Sequence, residues 1–315
     1  MERITIGTTG LSGSRLALGC MGLGGGWNAT PVGPAELAEA RALVETALDL
    51  GIDCFDHADF YSLYKAEEVF GQVLKESPSL RDRILLQSKC GIRLGGQRGV
   101  ETGHYDLSAA HILRSVEESL VRLHTDHLDI LLLHRPDPLM EPDEIAGAFR
   151  QLKQAGKVKA FGVSNMNAAC IRFLQASLDE PLVVNQLQLS LIHDAFVDST
   201  VTFNHTSRDR ALWFADGTVE ECRARNLRLQ SWSPLAGGQC SASARAAVEA
   251  SAHQHGVPVE AILVAWLLRH PAGLQPILGT TRPDRLRACA RGLEVRLERE
   301  EWNRLWVAAR GEPLP

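Results

Sequence analysis

Four ionisable side chains stand where neighbouring elements of the sequence end. Asp56, Lys89 and His134 each close a short apolar run typical of a buried strand, and Tyr61 follows Asp56 by five residues. A phenol, an ammonium, a carboxylate and an imidazole together suit proton transfer to a carbonyl group. A free tyrosine has a pKa of about 10, which a nearby ammonium lowers, while a carboxylate keeps that ammonium charged. The imidazole then holds the carbonyl oxygen in position.

None of these side chains can supply a hydride, so a reduction at this site needs a nicotinamide cofactor. Each also has a structural explanation, since polar residues at strand ends often satisfy loop backbone groups. A buried Asp–Lys pair can likewise be purely structural. Because all four residues belong to consecutive strand ends, we predict a catalytic role for the set.

The elements that must position these residues alternate along the chain. Short apolar, β-branched runs are separated by longer stretches of helical period. We predict strands at 52–56, 84–89, 128–134, 158–163, 183–189, 227–231 and 275–278. We predict helices at 34–50, 66–76, 108–123, 143–155, 168–176, 218–225, 242–255, 258–269, 284–291 and 298–309. Strands separated by helices must run parallel.

The runs 4–6 and 16–20 flank a turn-rich stretch, so they form a leading hairpin, or the second run begins the main sheet. About eight parallel units in ~300 residues fit a (β/α)8 TIM barrel. A doubly wound open sheet is the alternative, but the glycine cluster at 22–26 lacks the G-x-G-x-x-G spacing of such folds. We therefore expect an α/β protein of one domain, 1–315, comprising a barrel, a short N-terminal β-hairpin and a C-terminal helix.

Composition excludes several classes of protein. The chain has 315 residues, 33 Lys+Arg against 38 Asp+Glu and a net charge of −5, which argues against nucleic-acid and membrane partners. The longest apolar run, 261–268, is far shorter than the ~20 residues of a membrane helix. The N-terminus does not resemble a signal peptide. Seven cysteines without a C-x-x-C predict neither a disulfide framework nor a metal site and suit a reducing cytoplasm.

Three segments carry a resemblance to a known family. Residues 51–61, G-I-D-C-F-D-H-A-D-F-Y, are similar to the aldo-keto reductase signature G-x-x-x-F-D-T-A-x-x-Y. Residues 128–138 resemble the strand-four motif of that superfamily, and residues 156–165 resemble its G-K-[IV]-R-x-x-G-V-S-N block. The version in this chain is similar to a bacterial cytoplasmic oxidoreductase branch. The resemblance implies NADPH/NADP+-dependent reduction of an aldehyde or ketone, with Tyr61 as general acid/base, Lys89 and Asp56 tuning it and His134 orienting the carbonyl.

The resemblance also implies a cofactor site at the barrel mouth, without a dinucleotide-binding domain. Ser164, Asn165 and Gln186 match residues that hold the nicotinamide carboxamide, and Trp232 falls where the family stacks an aromatic ring on the nicotinamide. The other residues implied near the cofactor are Met21, Gly22, Ser233 and Leu235.

The segment 279–284, G-T-T-R-P-D, has the features of a helix start, with hydroxyl groups followed by a proline. A helix N-terminus attracts phosphate, and arginine suits bidentate phosphate contacts. We therefore place the adenine end of the cofactor there and expect NADPH rather than NADH. The residues concerned are Gly279, Thr280, Thr281, Arg282 and Arg285.

The sequence departs from the family pattern at three positions. His57 replaces the usual threonine, Ser62 the usual glycine, and Cys289 an asparagine that contacts adenine in many relatives. None of these changes touches the four catalytic candidates.

We expect the substrate to be a small-molecule carbonyl compound. The sequence leaves open which compound this is, in which direction the reaction runs physiologically and what the oligomeric state is. Trp27, Tyr64 and Arg93 are candidate substrate contacts, and the segments 90–106 and 195–217 would supply pocket walls. Aromatic residues favour an apolar or aromatic substrate, whereas the arginine leaves room for an anionic one.

Two other functions compete with carbonyl reduction. One is a nucleotide-loaded regulatory or binding protein with little turnover, as some barrels of this family are. The other is a lyase that forms a Schiff base on Lys89. The complete set of four residues disfavours the first, and a nearby Asp56 that keeps the lysine charged disfavours the second.

Overall fold

The computed structural model describes residues 1–202 and 217–315. Its strands, in chain order, are β1 (Arg3–Thr5), β2 (Ser12–Ser14), β3 (Ala17–Gly19), β4 (Cys54–Asp56), β5 (Leu85–Cys90), β6 (Ile92–Arg93), β7 (His104–Tyr105), β8 (Leu128–Leu133), β9 (Val158–Ser164), β10 (Val184–Gln188), β11 (Arg228–Trp232) and β12 (Gln275–Leu278).

The helices of the same residues are α1 (Pro34–Asp49), α2 (Lys65–Glu76), α3 (Ala109–Leu123), α4 (Pro142–Gln154), α5 (Ala168–Gln175), α6 (Ala195–Thr202), α7 (Thr218–Ala224), α8 (Ala242–His255), α9 (Val259–Leu268), α10 (Pro283–Ala290) and α11 (Arg299–Arg310). Short 3-10 helices lie at Pro78–Arg83, Ala236–Gly238 and Arg291–Glu294.

Eight of the strands close into a parallel barrel in the order β3, β4, β5, β8, β9, β10, β11, β12 and back to β3. The predicted (β/α)8 barrel is confirmed, with helix and strand boundaries shifted by one or two residues. Several helices begin where the sequence supplies a cap: Ser108 before α3 accepts a hydrogen bond from the His111 amide, and Asn167 before α5 accepts one from the Cys170 amide.

The run 16–20 was predicted either to complete the leading hairpin or to begin the main sheet, and the structure has the second arrangement. The second strand of the hairpin is β2, which pairs antiparallel with β1, whereas the run 16–20 contains β3 and begins the barrel. Ile4 and Ile6 are buried in one apolar cluster with barrel-strand residues such as Ala17 and Cys54 and with Val183, which directly precedes β10. This packing covers one end of the barrel and leaves the other end for a site. The β6–β7 hairpin and α6 were not predicted.

Helices α2 and α3 touch through their backbones. A Cβ at Gly71 in α2 would lie 1.9 Å from the carbonyl oxygen of Arg122 in α3. Only glycine allows this separation, because every other residue would place a carbon atom inside the neighbouring backbone. Glycine at this position therefore fixes how closely α2 lies against α3.

Other sequence-based expectations concern membranes, metals and thiols. Among residues 1–202 and 217–315, no helix is long and apolar enough to cross a membrane. The same residues bring no three His, Cys, Asp or Glu side chains together as a metal-binding group. All seven cysteines are free thiols.

Candidate active site

Three neighbouring strands bring the predicted catalytic residues to the open end of the barrel. Asp56 ends β4, Lys89 lies one residue before the end of β5, and His134 directly follows β8. These strands are adjacent in the barrel, so their carboxyl ends meet. Tyr61 reaches the same place from the loop between β4 and α2. The carboxyl ends of barrel strands are where the active sites of such folds lie.

Lys89 is the centre of the hydrogen-bond network. Its buried Nζ lies 2.8 Å from Oδ2 of Asp56, 3.0 Å from the phenol oxygen of Tyr61 and 2.8 Å from the carbonyl oxygen of His57. An ammonium has three protons to donate, and these three acceptors use all of them. The lysine is thereby fixed in one geometry between the carboxylate and the phenol.

Burial and charge act in opposite directions on this pair. Burial lowers the pKa of Lys89, but Asp56 and Tyr61 outweigh it, so the net pKa of the lysine is raised. Burial raises the pKa of Tyr61, and the opposing charge of Lys89 does not fully offset it. We expected Lys89 to lower the pKa of Tyr61. Lys89 does act in that direction, but the effect of burial is larger, so the expected net direction was wrong. In this structure the phenol keeps its proton and can donate it.

His134 is neutral. Burial lowers its pKa well below 6.5, and the charges of Lys89 and Arg135 lower it further. Its ring meets that of Tyr61 edge-on at 5.8 Å between centroids and lies 5.2 Å from that of Phe60. A neutral imidazole can donate one hydrogen bond to a carbonyl oxygen, but it is not an acid at neutral pH. The phenol of Tyr61, which keeps its proton, is therefore the group of this set that is suited to donate one.

The backbone directly after Tyr61 turns left-handed. Ser62, Leu63 and Tyr64 have φ of 50°, 57° and 76°. Non-glycine residues rarely adopt this region, and three in succession form a strained turn. Ser62, where the family pattern has glycine, is held by a 2.7 Å hydrogen bond from its hydroxyl to the carbonyl of Met21. The strained turn joins Tyr61 to α2 over a short distance.

The predicted nicotinamide contacts lie next to one another. The Trp232 indole donates to Oδ1 of Asn165 at 3.1 Å, and the Asn165 amide donates to the Ser164 hydroxyl at 2.8 Å and to the His134 carbonyl at 3.2 Å. Gln186 lies on β10, beside Ser164 on β9. Sequence analysis placed these residues by resemblance alone, and the structure brings them to one side of His134.

The remaining predicted cofactor residues lie in the loops after β3, β12 and β11, in that order, and at the start of α10. Gly22 allows the first loop to approach the second, because a Cβ there would lie 2.7 Å from the Thr281 methyl group. Arg282 pairs with Asp284 at 2.5 Å, whereas Arg285 is exposed and has no ion-pair partner among the described residues. The other members are Met21, which is half exposed, Gly279, Thr280, Ser233 and Leu235.

The predicted substrate contacts do not lie together in the structure. Trp27 is half exposed and packs on Phe60 at 5.8 Å, which continues an aromatic surface from His134. Phe60 was missed, although it directly precedes Tyr61 in the signature. Tyr64 stacks on Arg98 at 3.6 Å instead.

Tyr64 and Arg93 line a cavity of about 280 Å³ that none of the four catalytic candidates lines. Cys289 is fully buried. Of the predicted pocket wall 195–217, residues 203–216 lie outside the part of the chain that the structure describes. The structure thus supports Trp27 as a neighbour of the catalytic group and places Tyr64 and Arg93 elsewhere.

Comparison with known proteins agrees with this geometry. A model of the Aldo/keto reductase family matches residues 15–308. The oxidoreductase YdhF of Escherichia coli (strain K12) is 36% identical over 322 residues, and a 6-dehydroglucose reductase of Agrobacterium fabrum is 36% identical over 320 residues; both alignments cover 100% of each chain. The crystal structure of the thermostable aldo-keto reductase Tm1743 with the inhibitor epalrestat superposes with a TM-score of 0.79 at 27% identity, covering 98% of this chain and 100% of that one. The chain belongs to the aldo/keto reductase family.

Proposed function

We propose that this oxidoreductase reduces an aldehyde or ketone to an alcohol with NADPH. The observation that carries the proposal is the position of the Lys89 ammonium, which donates to both Asp56 and Tyr61 beside a neutral His134. This arrangement gives one proton donor and one hydrogen-bond donor for the same carbonyl oxygen. Reduction of a carbonyl needs both at that atom, together with a hydride at carbon.

The protein residues handle the proton. His134 donates a hydrogen bond to the carbonyl oxygen and orients it toward Tyr61. The Tyr61 phenol transfers its proton to this oxygen as negative charge develops there. Lys89 then lies 3.0 Å from the phenolate oxygen and stabilises its charge. In alcohol oxidation the same groups act in reverse, with the phenolate as base.

The chain also has groups that fit a nicotinamide dinucleotide, which when bound supplies the hydride. Trp232 presents an indole ring near His134, held by its hydrogen bond to Asn165. Gln186 uses its amide nitrogen within the barrel, and its carbonyl oxygen makes no hydrogen bond within the described residues, so it suits a carboxamide NH2. Arg285, exposed in the first turn of α10, is suited to the 2′-phosphate of NADPH.

The state of Lys89 supports an acid–base role over a Schiff base. Amine nucleophiles are activated by a lowered pKa, whereas the carboxylate of Asp56 and the phenol of Tyr61 raise the pKa of Lys89 overall. We further propose that residues 1–315 act as one domain. Its free thiols suit a reducing cytoplasm.

The test is a steady-state screen of wild-type protein with NADPH and NADH against aromatic aldehydes, quinones, anionic carbonyl compounds and sugar aldehydes. The last class is included because of the 6-dehydroglucose reductase similarity. Substrate-dependent consumption of NADPH supports the proposal. Tight NADPH binding without turnover of any carbonyl would instead indicate a nucleotide-loaded binding protein. Trapping of a substrate on Lys89 by borohydride would indicate a lyase.

A further inference from the structure

Four glutamines occupy the interior of the barrel. They are Gln87 on β5, Gln186 on β10, Gln230 on β11 and Gln275 on β12, and none is more than 2% exposed. The interiors of such barrels are usually filled by branched apolar side chains. Buried amides are costly unless each finds hydrogen-bond partners, so this polar layer needs a reason.

The glutamines form a hydrogen-bonded chain whose lower end is a backbone carbonyl. The Gln275 amide nitrogen donates to the carbonyl oxygen of Ser14 at 2.7 Å, and its side-chain oxygen accepts from Gln230 at 3.0 Å. The side-chain oxygen of Gln230 accepts from Gln87 at 2.9 Å and from Gln186 at 3.1 Å. Strands β5 and β11 lie opposite each other in the closed barrel, so the chain crosses the interior.

The upper end of the chain is the catalytic carboxylate. Oδ1 of Asp56 accepts a hydrogen bond from Gln87 at 2.5 Å and another from Gln186 at 3.1 Å. The carboxylate of Asp56 can only accept, so it fixes the direction of the Gln87 and Gln186 amides, and the carbonyl of Ser14 likewise fixes the direction of the Gln275 amide. Oδ2 remains for Lys89.

We propose that Gln87 is a positioning residue for Asp56, and that its two hydrogen bonds with Gln230 hold its amide donor against Oδ1 so that Oδ2 faces Lys89. This inference rests on the proposed carbonyl reduction. The two amide donors offset part of the carboxylate charge and fix its rotation. The geometry of the Asp56–Lys89–Tyr61 group is therefore set from below, inside the barrel.

Loss of the Gln87 donor has a predictable direction. The charge of Asp56 raises the pKa of Tyr61, and it does so more strongly when fewer donors offset it. The other titratable groups that face the phenol are Lys89, Cys20 and His134, and these are unchanged by a substitution at Gln87. Tyrosine ionisation should therefore move to higher pH.

The test is Gln87→Met, which keeps the length of the side chain and removes its donor. We expect the pH at which kcat for carbonyl reduction falls by half to rise by about one unit, with KM for NADPH unchanged. Tyrosinate absorption provides a readout without turnover, because the chain has three tyrosines and Tyr61→Phe identifies the contribution of one. Its midpoint should rise with that of kcat.

Gln275→Met is the matched control, since it makes the same change in the same layer without touching Asp56. It should move both midpoints by less than about a third of the Gln87→Met shift. Equal shifts in the two variants, or none in Gln87→Met, would overturn the inference while leaving carbonyl reduction intact. A tyrosinate shift in a protein that reduces no carbonyl would support the positioning role and remove the proposed function. If Gln87→Met does not fold, Gln230→Met replaces it, because it removes the acceptor that orients Gln87, and its midpoints should also rise.

Discussion

The Lys89 ammonium donates a hydrogen bond to the Tyr61 phenol oxygen at 3.0 Å, and the lysine is fully buried. Burial keeps the proton on the phenol in the resting protein, and in the proposed reaction the ammonium stabilises the phenolate that remains after transfer. In that proposed reaction Tyr61 gives up the proton, and Lys89 stabilises the negative charge that is left on the phenol oxygen.

Replacing Tyr61 with phenylalanine removes the proton donor but leaves the ring in place. General acid catalysis contributes ~10²–10⁴ in rate, so Tyr61→Phe should lower kcat at least about 100-fold. NADPH affinity, measured by fluorescence titration, should change little. Tyr64→Phe is the control, because Tyr64 stacks on Arg98 rather than contacting Lys89, and it should keep most of the activity. Near wild-type turnover by Tyr61→Phe would show that another group donates the proton.

Arg285 should determine the preference for NADPH. Its guanidinium is exposed in the first turn of α10, and a charged hydrogen bond to a 2′-phosphate is worth about 1.5–3 kcal/mol. We expect Arg285→Ala to weaken NADPH binding about 10- to 150-fold and to leave NADH binding unchanged, as measured by calorimetry. Arg287→Ala, on the same helix but directed toward Thr46, should affect neither cofactor. Equal losses for NADPH and NADH would place the phosphate elsewhere.

Trp232 should report cofactor binding through its fluorescence. Its indole contacts Asn165, and Trp232 pairs with Gln188 of β10 in the barrel sheet. The nicotinamide is expected at this place. NADPH should quench tryptophan emission in wild type, and Trp232→Phe should lose most of the quench. Trp302→Phe is matched to it, because Trp302 stacks on Trp266 at 4.9 Å in the outer helices, and it should retain the quench. A full quench in Trp232→Phe would assign the stacking to another aromatic ring.

Replacing Leu63 with glycine should stabilise the folded protein. The φ of 57° at Leu63 costs an L-residue about 1–2 kcal/mol, whereas glycine adopts this region freely. Leu63→Gly is therefore expected to raise the free energy of unfolding in urea by roughly 1 kcal/mol. Leu139→Gly, at an exposed loop position without positive φ, should lower it slightly. A loss of stability in Leu63→Gly would mean that the leucine side chain contributes more than the backbone costs.

Asp59 should make stability depend on pH. Burial raises its pKa from 3.8 to about 8, Glu67 adds to this, and Arg122 opposes it. Between these values the folded protein keeps the proton that the unfolded chain releases, so stability falls as pH rises from about 4 to about 8 and then levels off. Asp59→Asn should reduce the stability lost between pH 5 and pH 8 by more than about 1 kcal/mol in denaturant titrations. The same loss in both proteins would assign the dependence to other groups.

Much of the fold could be read from the sequence, because strands and helices differ in apolar period and the barrel places its active site at strand ends. Asp56, Lys89 and His134 were identified this way as candidates, and Tyr61 by its spacing from Asp56; the structure brings the four side chains together. The prediction of nicotinamide contacts required the family resemblance, since Asn165 and Trp232 are 67 residues apart and meet only through the barrel.

Other features had weak signals or none. The left-handed turn at Ser62 and Leu63 contains no glycine, so local chemistry gave no indication of it. Glutamines within apolar strands were visible in the sequence, but the contact between Gln87 and Gln230 depends on which strands face each other across the barrel. The net pKa direction of Tyr61 depends on burial, which composition and spacing do not reveal.

The backbone contact at Gly71 limits which substitutions this position can tolerate. Gly71 lies ten residues after Tyr61, on the helix that follows the strained turn. Even a single methyl group there would meet the Arg122 carbonyl and push α2 away from α3, and α2 would carry the end of the catalytic loop with it. The active site therefore constrains position 71, although this residue touches no reactant. Random mutagenesis should find that position 71 does not tolerate residues other than glycine.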